Sequence, residues 1–451
     1  MNFDPHNVAY LIGFLCICVA YLCIRRTRNW LDLGFVSALG FAVFYCLVPL
    51  YTLSQPELWL FISETQASSY LLTSLAFCLA FFAGVAPRSK VDKQRAGRTF
   101  TSPAGLITVG LILATVSLVF FFYNVFEQGG LSRVYGSAYG GAWANSGYAR
   151  EAPLLSLPAA LFIALGMRGA RVRPALAVAL ILVSVTPLLL HGFLGARRGY
   201  IFMAIAAVGT SLFLARILKP RFANILIGAT VTGLLMLTFV SNRDSFFVGG
   251  DWAIESNPLE ILDVREGQEF VFATAIHEAA SQSGVHYFGG RYLTVVAIRP
   301  IPRQIWPDKY EDAAALFGTP NLEKEGQYVP DNVFISTVGW RQETGSAPGL
   351  IADVYLEFGA YGAIFMFVFG LSLRAIERRA HSRFNFVILK YATVGLLIYA
   401  IAQGFEPFIF RLLFTVIPAV ILLRLTTGRS SKKSRARRSR SISVKEIRNP
   451  I

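Results

Sequence analysis

The sequence predicts an all-α polytopic membrane protein of about 11 transmembrane helices, with the N-terminus out, the C-terminus in and one large outer loop. Three observations carry this. Of 451 residues, 54% are hydrophobic and only 15% charged, against about 25% charged in soluble domains. Apolar runs of about 17–25 residues, long enough to cross a bilayer core, recur along most of the chain. Lys and Arg gather in alternate short loops, which is the positive-inside pattern.

In chain order the spans fall at about 8–24, 33–53, 67–86, 103–126, 152–167, 174–193, 199–215, 222–241, 348–371, 385–405 and 407–424. The opening MNFDPHN holds no Lys or Arg, whereas RRTR (25–28) follows the first span, so the N-terminus faces outward. That span has no positive n-region and no A-x-A site, so it is not a cleavable signal. Eleven crossings then place RRTR, RSKVDKQRAGR (88–98), RGARVR (168–173), RILKPR (216–221) and RAIERRAHSR (374–383) on the cytoplasmic side. The fifth and seventh spans are short, and are expected to be tilted or packed inside the bundle. QGFEPF (403–408) is a tight outward hairpin.

The domain organisation follows. Residues 1–241 form eight membrane helices, 242–347 a large periplasmic loop with interfacial helices, 348–427 three more membrane helices, and 428–451 a basic, disordered cytoplasmic tail that touches anionic lipid. A plain connection does not need a hundred residues, and the aromatics in this loop predict an ordered segment. A helix is expected across about 258–282, with Asn257 as cap and Pro258 in its first turn. RYLTVVAIRPIPRQIWPDKY (291–310) contains Pro300, Pro302 and Pro307, which forbid one continuous helix. It reads as a broken element at the membrane–water interface.

The net charge of +15 is therefore topology information, and nucleic-acid binding is excluded. The five cysteines (Cys16, Cys18, Cys23, Cys46, Cys78) all lie in early spans, which leaves no disulfide framework and no metal-ligand spacing. There is no G-x-S-x-G, no P-loop and no H-E-x-x-H.

Positive charge on the outer side needs a reason. Arg197 and Arg198 interrupt TPLLLHGFLGARRGYIFMAIAAVG (186–209) on that side. Such a charge costs roughly 2.5–3.5 kcal/mol at mid-membrane, and less near the interface. Arg243, Arg299, Arg303, Lys309 and Arg411 also lie at or inside outer span ends. Arg411 either pairs with Glu406, snorkels, or serves a site. Arg243 has Asp244 beside it, and Arg299, Arg303 and Lys309 fit lipid headgroups as well as substrate. Guanidinium groups hold phosphate oxygens through a bidentate fork at any working pH. A lipid-linked pyrophosphate would present its anion at this depth, and cations there would stabilise the charge that develops as it leaves.

A base for an attacking hydroxyl is harder to find. Asp353 and Glu357, four residues apart in GLIADVYLEFGAYG, share one helix face near the outer surface. They serve equally well as a buried pair or as counter-ions to the arginines. His277 is a further candidate, or half of a surface pair with Glu278. His191 and Glu343 are weaker ones.

Four motifs then bring a family into view: GARRGY (195–200), SNRDSF (241–246), IPRQIWPDK (301–309) and TGSAPGLIADVYLEFGAYG (344–362). In order and placement they resemble the oligosaccharide repeat-unit polymerases (O-antigen polymerases) of bacterial surface polysaccharide synthesis. The resemblance implies an inverting, metal-independent glycosyltransferase without cofactors, related in fold to other polytopic (GT-C-like) glycosyltransferases. It would act at the periplasmic face of the bacterial inner membrane on undecaprenyl-pyrophosphate-linked repeat units, with a chain-length regulator as a possible partner. Arg197, Arg198 and Arg243 would engage pyrophosphate, with Arg303 and Lys309 as further contacts. Asp353 stands where Glu is expected in this family. An O-antigen ligase shares the donor and the electrostatics. A flippase would need charges along a path to both faces, whereas the inner halves of the spans read as nearly charge-free. A structural scaffold would leave the outer arginines unexplained.

Overall fold

A computed structural model describes residues 3–86, 102–137, 148–170, 172–195, 197–219, 221–242, 245–254, 257, 263–321, 328–342, 346–380 and 384–446. Among these there is no strand, and nine helices are long and apolar enough to cross a membrane. They are α1 (Pro5–Thr27), α2 (Leu33–Leu53), α3 (Glu64–Val85), α4 (Pro103–Glu127), α5 (Ala149–Ala170) and α6 (Pro174–Leu194), followed after two shorter helices by the last three. The shorter apolar pair, α7 (Arg198–Leu214) and α8 (Phe222–Ser241), occupy the seventh and eighth expected spans. All eleven expected spans are thus helical, and the chain has an all-α polytopic membrane fold.

The expected loop helix is shorter than its pattern suggested. Residues 258–262 lie outside those described, Asn257 is not helical, and α9 runs Glu269–Ser283. Its cap is Gln268, whose side chain accepts from the Phe270 and Val271 amides and donates to Thr52. That tie to α2 sets the start of the helix. The proline-rich stretch is broken as expected: α10 (Gly290–Leu293) continues as a π-helical turn over Thr294–Ile298, and α11 (Lys309–Phe317) begins after the prolines. A short α12 (Asp331–Val338) precedes α13 (Gly349–Ala380), which is interrupted by a 3-10 turn at Gly359–Tyr361. Then come α14 (Phe384–Gln403) and α15 (Phe405–Glu446). The backbone of α15 continues through the tail expected to be disordered. No Pro lies between Pro418 and the helix end at Glu446, and Lys, Arg and Ser are tolerated helix residues.

Two sides of α1 show what surrounds the bundle. Ile12, Cys16, Val19 and Cys23 are buried, while Tyr10, Phe14, Ile17 and Tyr21 form an exposed apolar stripe at helical spacing. An exposed stripe of that size is unfavourable in water and suited to lipid. Inside, small residues let backbones touch. A Cβ on Gly370 would lie 2.2 Å from the Phe81 carbonyl, and one on Gly84 2.3 Å from the Phe367 carbonyl, so α3 and α13 pack in direct contact. The fifth span, α5, is 83% buried across its apolar window and lies within the bundle. Its shortness suits a helix walled by protein.

Hydrogen bonds sort the helix ends into two groups. At one end, Tyr45 of α2 donates to the Ile401 carbonyl and accepts from the Ile351 amide, and the loop residues Val264 and Gln268 donate to Gln55 and Thr52. At the other, Arg374 donates to the Ala86 carbonyl, and Lys390 donates to Glu377 at 2.5 Å. Glu377 also accepts from the Leu33 amide. The end of α3, the start of α2, the C-terminal part of α13 and the N-terminal part of α14 thus meet at this second, basic end. Of the expected spans meeting here, the tenth carries one buried charge, Lys390, and Glu377 and Asp32, just beyond the ninth and before the second, are buried with it and compensate it.

Candidate functional site at the loop-rich end

Arg291, at the start of α10, is 2% exposed and sits among three carboxylates. Its Nη1 donates to Asp353 Oδ1 at 2.9 Å and lies 3.4 Å from Glu357 Oε1, and its Nη2 donates to Glu406 Oε2 at 2.8 Å. Asp353 Oδ2 accepts from the Tyr292 hydroxyl at 2.8 Å and from the Phe405 amide at 2.9 Å. Glu357 Oε2 accepts from the Gly289 amide. Burial alone would lower the Arg291 pKa, but Asp353, Glu406 and Glu357 together outweigh it and hold the guanidinium charged well above its ordinary range.

Local backbone makes this knot possible. Asp353 and Glu357 share a face of α13, as their spacing predicts. Gly404 joins α14 to α15 at φ +122, a conformation that favours glycine, and a Cβ there would meet Asp353 Cγ at 3.1 Å. The turn thus brings the Phe405 amide and Glu406 onto Asp353 and Arg291. Of the three acids, Asp353 is 1% and Glu357 0% exposed in the side chain, whereas Glu406 is 19% exposed. Asp353 is committed to holding the loop, and Glu406 is the acid that a second molecule can reach.

Beside the knot lies a cationic cluster. Arg299 donates to Glu151 at 2.9 Å and stacks over Phe410 at 3.8 Å. Arg411 stacks over Tyr399 at 4.4 Å and donates to the Pro407 carbonyl. Tyr200 feels Glu151, Arg411, Arg150 and Arg197 electrostatically, while Tyr310 feels Arg299, Arg303, Glu151 and Arg150. The carboxylate common to both sets is Glu151. Tyr328 links cluster and knot, being within reach of Arg291, Glu406, Asp353 and Tyr399. Phe410 is one turn on from Glu406, so the first turns of α15 touch both.

Five of the expected cations therefore converge: Arg197, Arg299, Arg303, Lys309 and Arg411. Lys309, however, is spent on structure. Its ammonium donates to the carbonyls of Ile298, Arg299 and Ile301, which uses all three donors and closes the end of the π-helical turn. Burial, then Arg303 and Arg299, lower its pKa. Arg243 and Glu343 lie outside the described residues, as does the side chain of Arg198. The suggested pairing of Arg411 with Glu406 does not form, because Glu406 faces Arg291.

His277 lies apart from the cluster. It is buried on α9, with Nε2 3.0 Å from Thr73 Oγ1 and its ring 4.1 Å from that of Tyr355. Burial, then His286, push its pKa down to about 4, so it is neutral at pH 7. It forms no surface pair with Glu278, which accepts from Gln282. His191 is buried against Tyr135 and Tyr200. Sequence reasoning missed Arg150, Glu151 and Arg291. An Arg-Glu pair at the mouth of a span was a visible signal for the first two. Arg291 had no local signal, since its partners are 62 and 115 positions away.

No protein-family model matches this chain, and no curated protein or solved structure matches it.

Proposed function

We propose that the protein polymerises undecaprenyl-pyrophosphate-linked oligosaccharide repeat units into surface polysaccharide, as an inverting glycosyltransferase at the outer face of the bacterial inner membrane. The observation that carries this reading is the convergence of Arg150, Arg197, Arg299, Arg303 and Arg411 at one end of an apolar bundle, beside a partly exposed carboxylate. The resemblance of the four motifs supplies the substrate class. An acceptor sugar hydroxyl attacks the anomeric carbon of the donor glycan, and the bond from that carbon to the pyrophosphate oxygen breaks. The electron pair leaves with the lipid pyrophosphate, whose growing charge the guanidinium groups stabilise. The hydroxyl proton passes to Glu406, which Arg291 holds in place. Glu406 takes the role of base over Asp353, whose two oxygens are already engaged by three donors.

The flippase reading fares worse. At the basic end Lys390 and Glu377 are closed on each other, so an anionic headgroup passing there would have to part a buried ion pair. The test is chain extension by purified protein supplied with lipid-linked repeat units. Polymer is expected from the wild type, and Glu406→Gln should lower turnover by about 100- to 10,000-fold while the protein stays folded, because a glutamine oxygen still accepts from Arg291. Full-rate polymer from Glu406→Gln removes the base assignment. No polymer from the wild type removes the function.

A further inference from the structure

A cavity of about 210 Å³ lies at the basic end, lined by Met167, Arg168, Val172, Pro174, Ala177, Ala215, Arg216 and Ile217. It sits where α5 ends, α6 begins and α7 ends. Two arginines, Arg168 and Arg216, contribute to its lining, and the other lining residues are apolar. A water occupies about 30 Å³ in the liquid, so the space suits a larger, amphipathic ligand.

The backbone at Arg216 is the second observation. The Arg216 amide donates to the Phe213 carbonyl and the Ile217 amide to the Leu212 carbonyl, the paired bonds of a Schellman helix stop. The residue following the cap of such a stop adopts a left-handed conformation and is usually glycine. Here it is Arg216, at φ +62. A long cation kept in a conformation unfavourable for side chains points to a use for that side chain. Leu176 and Leu218, next in sequence to the lining residues Ala177 and Ile217, are 51% and 41% exposed.

We propose that this cavity binds the phosphate headgroup of an anionic phospholipid, with Arg168 and Arg216 on the phosphate and the acyl chains along Leu176 and Leu218. Basic pockets between membrane helices hold headgroups in this way. The inference is independent of the polymerase reading, since it concerns the opposite end of the bundle.

Melting temperature in detergent, with added dioleoylphosphatidylglycerol or dioleoylphosphatidylcholine, tests it. A ligand that binds only the folded state raises the melting temperature. The wild type should gain several degrees from phosphatidylglycerol over phosphatidylcholine. About half or more of that gain should vanish in Arg168→Gln and in Arg216→Gly, and Arg25→Gln, outside the cavity, should keep it. Arg216→Gly suits the left-handed turn, so its melting temperature without lipid should hold or rise, which separates lost binding from lost folding. An equal gain in all four proteins overturns the site. So does inorganic phosphate producing the full gain, which would make the ligand a free anion.

Discussion

The two ends of this bundle handle charge in opposite ways. At the loop-rich end one guanidinium, Arg291, is shared by Asp353, Glu357 and Glu406, and further arginines stand beside it. At the basic end one ammonium, Lys390, is closed on Glu377, with Asp32 near them. The first arrangement leaves an acid partly exposed and cations gathered around Glu151. The second leaves a small, self-satisfied group. Excess and incompletely shielded charge is what a site needs in order to meet an anionic substrate, whereas a closed pair fastens helices together.

Removing the cation at each end should separate these roles. Arg291→Met leaves three buried or half-buried carboxylates without their cation, an effect of about 3–5 kcal/mol. Lys390→Met should be milder, because the Leu33 amide still serves Glu377 and the Gly34 and Phe35 amides still serve Asp32. Melting temperatures in one detergent give the ranking, and an Arg291→Met protein as stable as Lys390→Met would erase the contrast. Next in size, Arg411→Ala should reduce polymer formation by about 100- to 1,000-fold while the melting temperature changes little. Arg411→Lys should recover only part of this, because a lysine lacks the planar fork. Wild-type polymer lengths from Arg411→Ala would detach the cationic cluster from chemistry.

The smallest effect concerns acid. His277 is held at a pKa of about 4, below the ordinary 6.5, so the unfolded chain binds the additional proton. Its contribution is complete above about pH 6.5 and is lost as pH falls toward 4, amounting to about 1–2 kcal/mol between pH 7 and pH 5. Asp32 runs the other way. Burial, then Glu377, raise its pKa, so its contribution is complete below the ordinary carboxylate range and fades as pH rises through the raised value. His277→Gln should therefore flatten the acid loss of stability and Asp32→Asn should steepen it. Denaturation followed from pH 7 to pH 5 reads both slopes, and like signs in the two variants would contradict the assignment.

Much of the fold was legible along the chain because hydropathy and loop charge are local properties. Every expected span is a helix, and prolines 300, 302 and 307 do break the element that contains them. The site was legible only in part. Asp353 and Glu357 stood four apart and do share a face, and outer arginines against the charge bias do gather. Their partners were not readable. Arg291 carried no local signal, Lys309 read as a further pyrophosphate contact, and His277 as a candidate base or half of a surface pair with Glu278.

Burial and pairing decided those three. The Gly404 turn delivers Glu406 to an arginine 115 positions earlier. Three carbonyls at and just beyond the end of a π-helical turn consume Lys309, and packing of α9 against α3 hides His277 beside Thr73. Which segments span the bundle, and which loops carry positive charge, follows from residues taken a few at a time. Which charges neutralise one another and which stay open depends on distances between segments remote in the chain, and only the packed tertiary structure sets those.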